Sequence, residues 1–506
     1  MRFFIILIAF AWNITSIRAQ VGYSTMGTEH TLRVNANGSL GMDLSNNTPA
    51  SFYNGDINLP FLKQAGLWIV AEDNNGQFHT ATHYASGIDS FDFWAGPVDT
   101  LTGQTGQSAD WDNAWKVTQE EIINHKENYQ KTGYNVPKSI ATWPANGSDG
   151  FAKYLAPFVD INNNKIYDPA SGDYPEIKGI EATYCIFNDI AEEHNASFGQ
   201  ELGIEIQMMA YRLTNSSQVY LEYYLINRRP SIFKSVKVGF FIDGECGSRT
   251  DNYAGTLEQF PQTIFVYNSD DTDENHFEKD LPYVIATFLN ETLSSTISFD
   301  DKHSINGKPT INQHFINYSN SLWKDSSMLS IGEDGTTKAE KTSFIFSQSI
   351  KNSKSFWTEE DRPNVAGGRT ILGFVEASSL NPKDYLKLDI CLDAGTYVPN
   401  EVLREKIISQ STKNFIQFRK TSNVFKTRID NQITLYPNPS TGTFKIKSNL
   451  QVQNFIVYDY QGIKHIDKEI FSNTEFSCNI LLNPGVYYLQ LITKEGMQTK
   501  KLCIRP

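Results

Sequence analysis

Stretches in which apolar and polar residues alternate dominate the middle of the chain. The segments GIEIQMMAYRLT (203–214), VYLEYYLINRR (219–229) and SVKVGFFID (235–243) are rich in β-branched and aromatic residues and are separated by short polar turns. Successive side chains of a β-strand point to opposite faces of its sheet, so this alternation predicts neighbouring strands of a meander. The predicted fold class is therefore mainly β.

Two segments have the wider apolar spacing of an amphipathic helix. They are WKVTQEEIINHKENY (115–129) and PNEVLREKIISQ (399–410), the second with Asn400 as its predicted N-cap. The polar, basic stretch 411–432 that follows predicts a connection to the tail, with the body ending at residue 425 and the linker itself at 426–432.

The length of the body indicates more than one β-sandwich. A body of about 400 residues is large for a single sandwich. We therefore expect two β-sandwich-like modules with a few helices, divided near residues 290–310, and a small C-terminal β-sandwich after them.

The N-terminus has the pattern of a secretory signal peptide. Arg2 supplies a positive charge, residues 3–12 form a short apolar core, and Ala19 ends a cleavage site before Gln20. This core is too short to cross a bilayer, and no later run reaches the roughly 18 apolar residues that a membrane helix needs. We expect residues 1–19 to be removed and the mature chain to be exported without spanning the membrane.

Charge divides the mature chain into two parts. Residues 433–506 contain eight Lys or Arg and five Asp or Glu, a net charge of +3, whereas residues 20–432 carry −18. This change of sign indicates a domain boundary. Because nucleic-acid binding needs a basic face, the acidic body argues against a nucleic-acid partner and is compatible with bound cations.

Cysteine usage gives little evidence of a disulfide framework. The chain has five cysteines, an odd number, at positions 185, 246, 391, 478 and 503. Cys478 and Cys503 lie in the same small C-terminal segment, so they either form a disulfide or remain two buried thiols. No spacing of Cys and His indicates zinc.

The tail contains several separated motifs: YPNP at 436–439, the STG turn at 440–442, YDYQG at 458–462 and NPGVYYLQL at 483–491. Gly442 permits the bend between two predicted strands. These motifs resemble the type A C-terminal sorting domain of Bacteroidetes type IX secretion cargo. The resemblance implies a seven-stranded sandwich over residues 433–506 that is bound by the type IX translocon. It also implies cleavage of the tail and, for some cargo, attachment to surface lipopolysaccharide.

The body is similar to a family of large exported Bacteroidetes proteins. The segments that carry this resemblance are 66–99, 111–125, 156–179 and 219–228, and it extends through most of residues 30–410. The family has no established activity. The resemblance therefore implies a secreted or cell-surface location and no mechanism.

The segment DINNNKIYDPASGD (160–173) has the pattern of a calcium-binding loop. Oxygen-bearing side chains occupy alternate positions, and a backbone carbonyl completes the set, so the predicted ligands are Asp160, Asn162, Asn164, Ile166, Asp168 and Asp173. The pattern resembles EF-hand and dockerin loops, but Lys165 replaces their turn glycine and Ser171 occupies the position of their bidentate acid. The alternative is a turn whose side chains bond to their own backbone.

Two weaker patterns also suggest ligand sites. Asp243, Glu245 and Asp251 are close in sequence and form a second cation candidate, although charge runs are usually solvated loops. Tryptophans are crowded within one segment and could form a glycan-binding platform, although most tryptophans are buried; they are Trp68, Trp94, Trp111, Trp115 and Trp143.

No motif of an enzyme is evident in the sequence. The chain lacks a nucleophile elbow, a phosphate-binding loop and a dinucleotide fingerprint. The leading interpretation is an exported binding or adhesive module, for glycans, with a structural calcium loop. The alternatives are a carbohydrate-active or other hydrolase, whose two carboxylates the sequence cannot locate, and a structural surface-layer component.

Overall fold

The computed structural model describes residues 22–505 with the exception of several short segments. The exceptions are residues 29, 85–89, 106–107, 149, 215, 260, 271, 273–279, 303, 349–354, 362–364, 399–401, 426–432, 460–463 and 494–495. The predicted signal peptide at 1–19, the predicted cap Asn400 and the linker 426–432 lie outside the described residues.

Strands form most of the regular structure of the body, which confirms the predicted mainly β fold. The body strands are β1 Tyr23–Met26, β2 Leu32–Asn35, β3 Met42–Asp43, β4 Thr48–Pro49, β5 Leu62–Asp73, β6 Phe78–Thr82, β7 Trp94–Ala95, β8 Trp115–Thr118, β9 Phe158–Val159, β10 Tyr174–Pro175, β11 Glu181–Asn188, β12 Ile204–Arg212, β13 Val219–Asn227, β14 Phe233–Gly244, β15 Asn252–Leu257, β16 Thr263–Asn268, β17 Leu281–Phe288, β18 Leu293–Asp300, β19 Arg369–Ala377 and β20 Tyr385–Tyr397.

Two antiparallel sheets contain the long body strands. The larger, nine-stranded sheet has the order β15-β16-β17-β20-β13-β12-β11-β7, with β8 also paired to β11. The five-stranded sheet has the order β18-β19-β14-β5-β6. Buried side chains of both sheets, such as Tyr223 on β13 and Phe240 on β14, belong to one apolar core. The two sheets therefore pack face to face as the layers of a sandwich.

The two sheets are interleaved along the chain. Residues 290–310, predicted as a module boundary, contain β18, which pairs with β19 in the five-stranded sheet. Strands from before and after this segment occur in both sheets. The two β modules expected from the sequence correspond here to two layers that exchange strands, rather than to two successive segments.

The predicted meander is present only in part. The strands β12 and β13 pair directly, with Met209 opposite Glu222. The next strand, β14, crosses to the five-stranded sheet, and its place beside β13 is taken by β20. Alternation along a strand shows which residues share a face, but it does not specify the partner strand.

The described helices are few and mostly short: α1 Ser108–Trp111, α2 Gln119–Asn128, α3 Lys138–Ala141, α4 Asn312–Ser319 and α5 Leu403–Phe425. The predicted helix at 115–129 begins as strand β8, because the alternating WKVT segment pairs with β11. The helix follows at Gln119, where Thr118 and Glu121 form a reciprocal capping box. No helix among the described residues is long and apolar enough to cross a membrane.

Helix α5 corrects the prediction for residues 411–425. The helix expected at 399–410 begins at Leu403 and continues to Phe425, through a stretch predicted as linker. Ser411 and Asn414 are fully buried, although they are polar. Asn414 donates a hydrogen bond to the Asp393 carboxylate at 3.1 Å, and Thr263 Oγ1 donates to Ser411 Oγ at 2.9 Å. The helix is thus held on the sheet partly by polar contacts, which hydrophobic periodicity does not reveal.

A second apolar core lies on the opposite face of the nine-stranded sheet. Trp115, Ile140 and Trp143 from the segment 111–179 pack there with Tyr184 of β11 and Phe418 of α5. This segment also carries the predicted calcium loop. The loop is therefore attached to a packed layer of the body.

The C-terminal strands form a separate five-stranded sheet with its own apolar core. They are β21 Ile433–Tyr436, β22 Thr443–Asp459, β23 Lys464–Asn479, β24 Gly485–Thr493 and β25 Gly496–Ile504. The described strands number five, whereas the resemblance implied seven, because β22 and β23 continue through a shift of register between Lys447 and Val452. Gly442 has φ +105°, and a Cβ there would lie 2.5 Å from the Ile480 carbonyl oxygen, so the bend requires glycine.

All five cysteines are free thiols. Cys478 is buried, and burial raises the pKa of its thiol to about 11. Of the two alternatives for the C-terminal pair, the structure has the free thiols.

Candidate functional site

The first part of the predicted calcium loop is organised around Asp160. One carboxylate oxygen of Asp160 accepts a hydrogen bond from the Asn164 N–H at 3.2 Å, and the other accepts from the Lys165 N–H at 2.8 Å. Lys165 has φ +65°, which is the backbone conformation that glycine supplies in calcium loops. The substitution of lysine for glycine therefore leaves the expected turn in place, at the strain of a left-handed conformation.

Asn162, Asn164 and Asp168 meet on the inner side of the same loop. The Asn162 amide donates to both oxygens of Asp168 at 3.3 Å, and the Asn164 amide donates to Asp168 Oδ2 at 3.1 Å. The Oδ1 atoms of the two asparagines accept backbone N–H groups, from Asn164 at 3.0 Å and from Ile166 at 2.7 Å. A cation would require both amides to turn their oxygens inward, away from these backbone donors.

Asp173 closes the loop from beneath. It is fully buried, and it accepts hydrogen bonds from the Ile161 N–H at 2.8 Å and the Asp168 N–H at 3.0 Å. Burial raises the pKa of Asp173, and the adjacent Asp168 carboxyl raises it further against those two backbone donors. Burial also acts to raise the pKa of Asp168, but hydrogen bonds from Asp173, Ser171 and the two asparagines hold it below its ordinary value. The pKa values of these two neighbouring carboxyls are thus shifted in opposite directions, and a bound cation could offset the repulsion between them.

The donor set fits calcium in kind. Asp160, Asn162, Asn164, Asp168 and Asp173 supply carboxylate and amide oxygens, which calcium prefers. Ile166, predicted to contribute its carbonyl, is an exposed residue of the same turn. Among the described residues, no group of three or more His, Cys, Asp or Glu side chains is gathered as metal ligands. A cation in the loop would therefore rely on the asparagine oxygens as well as the carboxylates.

The second predicted cation cluster is neutralised by an arginine. Arg249 Nη1 contacts Asp243 at 3.0 Å and Glu245 at 2.7 Å, and its Nη2 contacts Asp301 at 2.9 Å. The guanidinium occupies the position that a cation would take between these carboxylates. The hypothesis of a cation site there is therefore wrong for Asp243 and Glu245.

The predicted tryptophan platform is also wrong. Trp68, Trp115 and Trp143 are core residues, with 0, 8 and 3% of their surface exposed. Trp94 and Trp111 are half-buried, and Trp111 packs against the rings of Trp115 and Phe151. Three of these tryptophans fill the apolar cores and the other two are half-buried, so the set does not present a flat face to solvent.

A polar pocket of about 320 Å³ opens where β18 ends and β19 begins. Its floor is the ion pair of Arg369 and Glu359, whose residues are 5% and 2% exposed. Arg369 Nε and Nη2 each lie 2.7 Å from Glu359 Oε1, and the Ala254 N–H donates to Glu359 Oε2 at 2.8 Å. Burial raises the pKa of Glu359, and Arg369 opposes this effect. The floor is thus a fixed, charge-compensated pair.

The mouth of the pocket carries further polar side chains. Asn306 donates to Asp334 Oδ2 at 2.9 Å, and the Lys302 ammonium lies 3.3 Å from Asp300. The remaining lining is supplied by serine and apolar side chains, namely Ser298, Phe299, Ser304, Ile345, Phe346 and Val365. The pocket therefore combines convergent hydrogen-bonding groups with apolar walls, as small-molecule sites commonly do.

A third group of charges lies on the outer face of the nine-stranded sheet. Lys387 Nζ contacts Glu222 at 3.3 Å and Asp389 at 2.9 Å. Burial raises the pKa of Asp389 to about 6, against the neighbouring Lys387. Glu222 and Asp389 are 6% and 2% exposed, so a polymeric substrate cannot contact them directly. This group stabilises the packing of β13 on β20 and does not provide the carboxylate pair of a hydrolase.

The comparison with protein families concerns the C-terminal sheet. Residues 434–505 match the family described as secretion system C-terminal sorting domain. The tail resembles a sorting domain. This match supports handling of the chain by the type IX secretion machinery and export to the cell surface or the medium. The Bacteroidetes origin and the body family proposed from residues 30–410 stay predictions.

The body has only distant similarity to known proteins. No curated protein matches the chain in sequence. Among solved structures, a polysaccharide lyase is 7% identical with a TM-score of 0.21, over 59% of this chain and 34% of its own. A copper-containing benzylamine oxidase from Hansenula polymorpha is 8% identical with a TM-score of 0.29, over 74% of this chain and 60% of its own. The chain thus spans about a third and three fifths of these proteins, and the TM-scores are too low for either likeness to carry an argument.

The loop at 160–173 was predicted from the sequence, whereas the polar pocket was not. The pocket is lined from five separate segments, around residues 298–306, 334, 345–346, 359 and 365–369. Apart from Asp300 and Lys302, its charged residues are widely separated in sequence, and none belongs to a recognisable motif. The pairing of Arg369 with Glu359 is established only by the fold, so the sequence contained no signal for this pocket.

Proposed function

We propose that this protein is an exported binding or adhesive module that recognises extracellular glycans through the polar pocket. The sorting domain supports the route of export. The single observation that supports binding is the pocket itself, a concavity of about 320 Å³ with a rigid ion pair as its floor and hydrogen-bonding groups at its mouth. The partners we propose are the type IX translocon for residues 433–506 and a surface glycan or lipopolysaccharide for the exported body.

Calcium has a structural role in this proposal. The loop 160–173 lies in the segment that covers the outer face of the nine-stranded sheet, and the His125 Nε2 atom of α2 lies 3.1 Å from the Asp173 carbonyl oxygen. A cation held by the loop would fix this covering layer. The proposed ligands are those predicted from the sequence: Asp160, Asn162, Asn164, Ile166, Asp168 and Asp173.

Binding and catalysis can be separated in one experiment. The mature chain is mixed with a panel of insoluble polysaccharides and cell-wall material in the presence of calcium. Both the protein retained and the soluble sugar released are then measured. We expect retention without release.

Each other outcome favours a different function. Release of sugar would show that the chain is a hydrolase and would contradict the proposed binding function. Absence of both retention and release would favour a structural component of the cell surface. The same retention assay in a calcium chelator would show whether the loop supports the binding surface.

A further inference from the structure

We infer that the pocket binds the end of a glycan, and specifically one uncharged terminal sugar unit. This inference rests on the proposed function and narrows it. A glycan chain bound along its length needs an open aromatic face, whereas a glycan bound by its terminal sugar needs a small pocket. The geometry of this site is that of a small pocket.

The size of the pocket limits what can enter. Its volume of about 320 Å³ is at the lower end of the range of roughly 300–1,000 Å³ typical of small-molecule sites. A pocket of this size accommodates a single sugar ring. A polymer that continues past both sides of the bound unit would need a longer groove, so we expect the pocket to take the end of a chain.

The apolar walls are not arranged for stacking along a chain. Phe299 and Phe346 line the pocket, yet they are 2% and 4% exposed, so they present small parts of their rings. The large aromatic rings nearby are occupied with each other, as in the pair Phe346 and Trp357 with centroids 4.9 Å apart. Recognition would therefore depend on hydrogen bonds to hydroxyl groups, with the phenylalanine edges packed against the ring carbons.

The charges of the pocket favour a neutral ligand. Three carboxylates, Asp300, Asp334 and Glu359, face two cations, Lys302 and Arg369. Both cations already contact carboxylates within the pocket. An anionic sugar would meet an excess of negative charge, whereas a cationic sugar would have to compete with cations already held in place. Uncharged hydroxyl groups can accept and donate hydrogen bonds without disturbing either pair.

Asp334 is the residue at the mouth of the pocket that is best placed to form a hydrogen bond with the ligand. Its Oδ1 accepts from the Thr336 N–H at 3.1 Å and the Thr336 hydroxyl at 2.6 Å, while its Oδ2 accepts from Asn306 at 2.9 Å. These bonds fix the carboxylate, so little ordering remains when a ligand binds. A sugar hydroxyl that donates to Oδ2, and accepts from the Asn306 amide, would use both members of this pair.

The test is direct titration of the mature chain with soluble neutral monosaccharides by ligand-observed NMR, alongside elution of chain retained on polysaccharide. We expect a subset of the monosaccharides to bind and to elute the chain. Glucuronic acid and glucosamine, as charged counterparts, should bind at least about tenfold more weakly than the neutral sugar of the same ring. Asp334→Asn should weaken binding by about tenfold, because a fixed charged acceptor is lost.

Asp325→Asn is the matched control. Asp325 also accepts an N–H two residues ahead, from Ser327 at 2.9 Å, but it does not line the pocket. Its substitution should leave binding unchanged. If Asp334→Asn does not fold, Asn306→Leu provides a second variant, which should also weaken binding because the amide that donates to the sugar hydroxyl is lost.

The outcomes distinguish the two levels of the proposal. Retention on polysaccharide that monosaccharides do not reverse and Asp334→Asn does not reduce would overturn this inference and leave the binding function standing. Equal binding of the neutral and charged sugars would also overturn it. If the unchanged chain neither is retained on polysaccharide nor binds any monosaccharide, both the binding function and the inference about a terminal sugar are overturned.

Discussion

The loop 160–173 and the polar pocket are both rich in oxygen atoms, yet the chain builds them in opposite ways. The loop takes all of its side chains from one segment, and its backbone N–H groups bond to those same side chains, as from Lys165 to Asp160. The pocket combines Glu359 and Arg369, which lie ten residues apart in sequence, with side chains at and after the end of β18. Local spacing can therefore reveal the first kind of site, whereas the second exists only after the sheets have paired.

The largest expected effect concerns the other locally encoded region, the sorting tail. Deletion of residues 433–506 should abolish accumulation of the protein at the cell surface and in the medium of a host with a type IX system. The reason is that the matched sorting domain is lost as a unit with its own core. Immunoblotting of cell and medium fractions measures this, with Asp334→Asn as an exported control. Normal export of the truncated chain would contradict the assignment of the tail.

The second prediction concerns the composite pocket. Arg369→Met removes the partner of Glu359, a residue 2% exposed, and leaves an uncompensated buried carboxylate. The free energy of unfolding should fall by about 3–5 kcal/mol, measured by chemical denaturation. Lys302→Met at the mouth of the same pocket should cost less than about 1 kcal/mol, because the Lys302 side chain is 60% exposed. Equal effects of the two changes would show that the floor is not the rigid element described here.

The comparison also explains which predictions from the sequence were correct. Alternation in residues 203–229 gave strands β12 and β13, because the sheet face on which a residue lies follows from its position in the strand. Gly442 was correctly placed at a bend because its backbone conformation excludes other residues. Each of these features is decided within a few neighbouring residues.

Two features that were not predicted from the sequence depend on side-chain partners, one distant along the chain and one close. Helix α5 extends through a polar stretch because Asn414 bonds to Asp393 of β20. The acidic residues Asp243 and Glu245 surround Arg249, so what resembled a cation site is an ion-pair network. The partner of Asn414 lies on a strand distant from its own helix in sequence, which the composition of the segment does not show. Arg249, in contrast, lies in the same short segment as Asp243 and Glu245 and could have been recognised as their partner.

The third prediction concerns His83, a core residue that should make the free energy of unfolding depend on pH without any change at the loop or the pocket. His83 is buried, and burial lowers its pKa from 6.5 to about 4. Its Nδ1 accepts the Leu67 N–H at 3.0 Å, and its Nε2 lies 2.8 Å from the Asn37 carbonyl oxygen, which fits the neutral ring. Between pH 6.5 and pH 4 His83 is protonated in the unfolded chain but stays neutral in the folded chain. Protonation therefore favours the unfolded chain, and the folded chain loses stability as the pH falls from 6.5 towards 4.

The loss should reach roughly 3 kcal/mol at pH 4, measured by chemical denaturation across this range. His83→Gln should flatten the dependence, while His465→Gln in the tail should not. If the free energy of unfolding of His83→Gln depended on pH as steeply as that of the unchanged chain, the acid sensitivity would belong to other groups.

The smallest expected effect concerns the loop. Calcium should raise the thermal midpoint of the mature chain by about 2 °C or more relative to chelator, because it binds the folded loop and offsets the repulsion between the Asp168 and Asp173 carboxyls. Asp168→Asn should remove the difference, and Asp325→Asn should keep it. An identical midpoint with and without calcium in the unchanged chain would leave the loop as a self-bonded turn and sharpen the contrast with the pocket.

The most direct test of the account is a crystal structure of the mature chain with the tightest-binding neutral monosaccharide. We predict electron density for one sugar ring in the pocket, with a ring hydroxyl within hydrogen-bonding distance of Asp334 or Asn306. Density for the sugar at another surface, with the pocket filled by solvent, would contradict the central claim that this pocket is the binding site of the exported body.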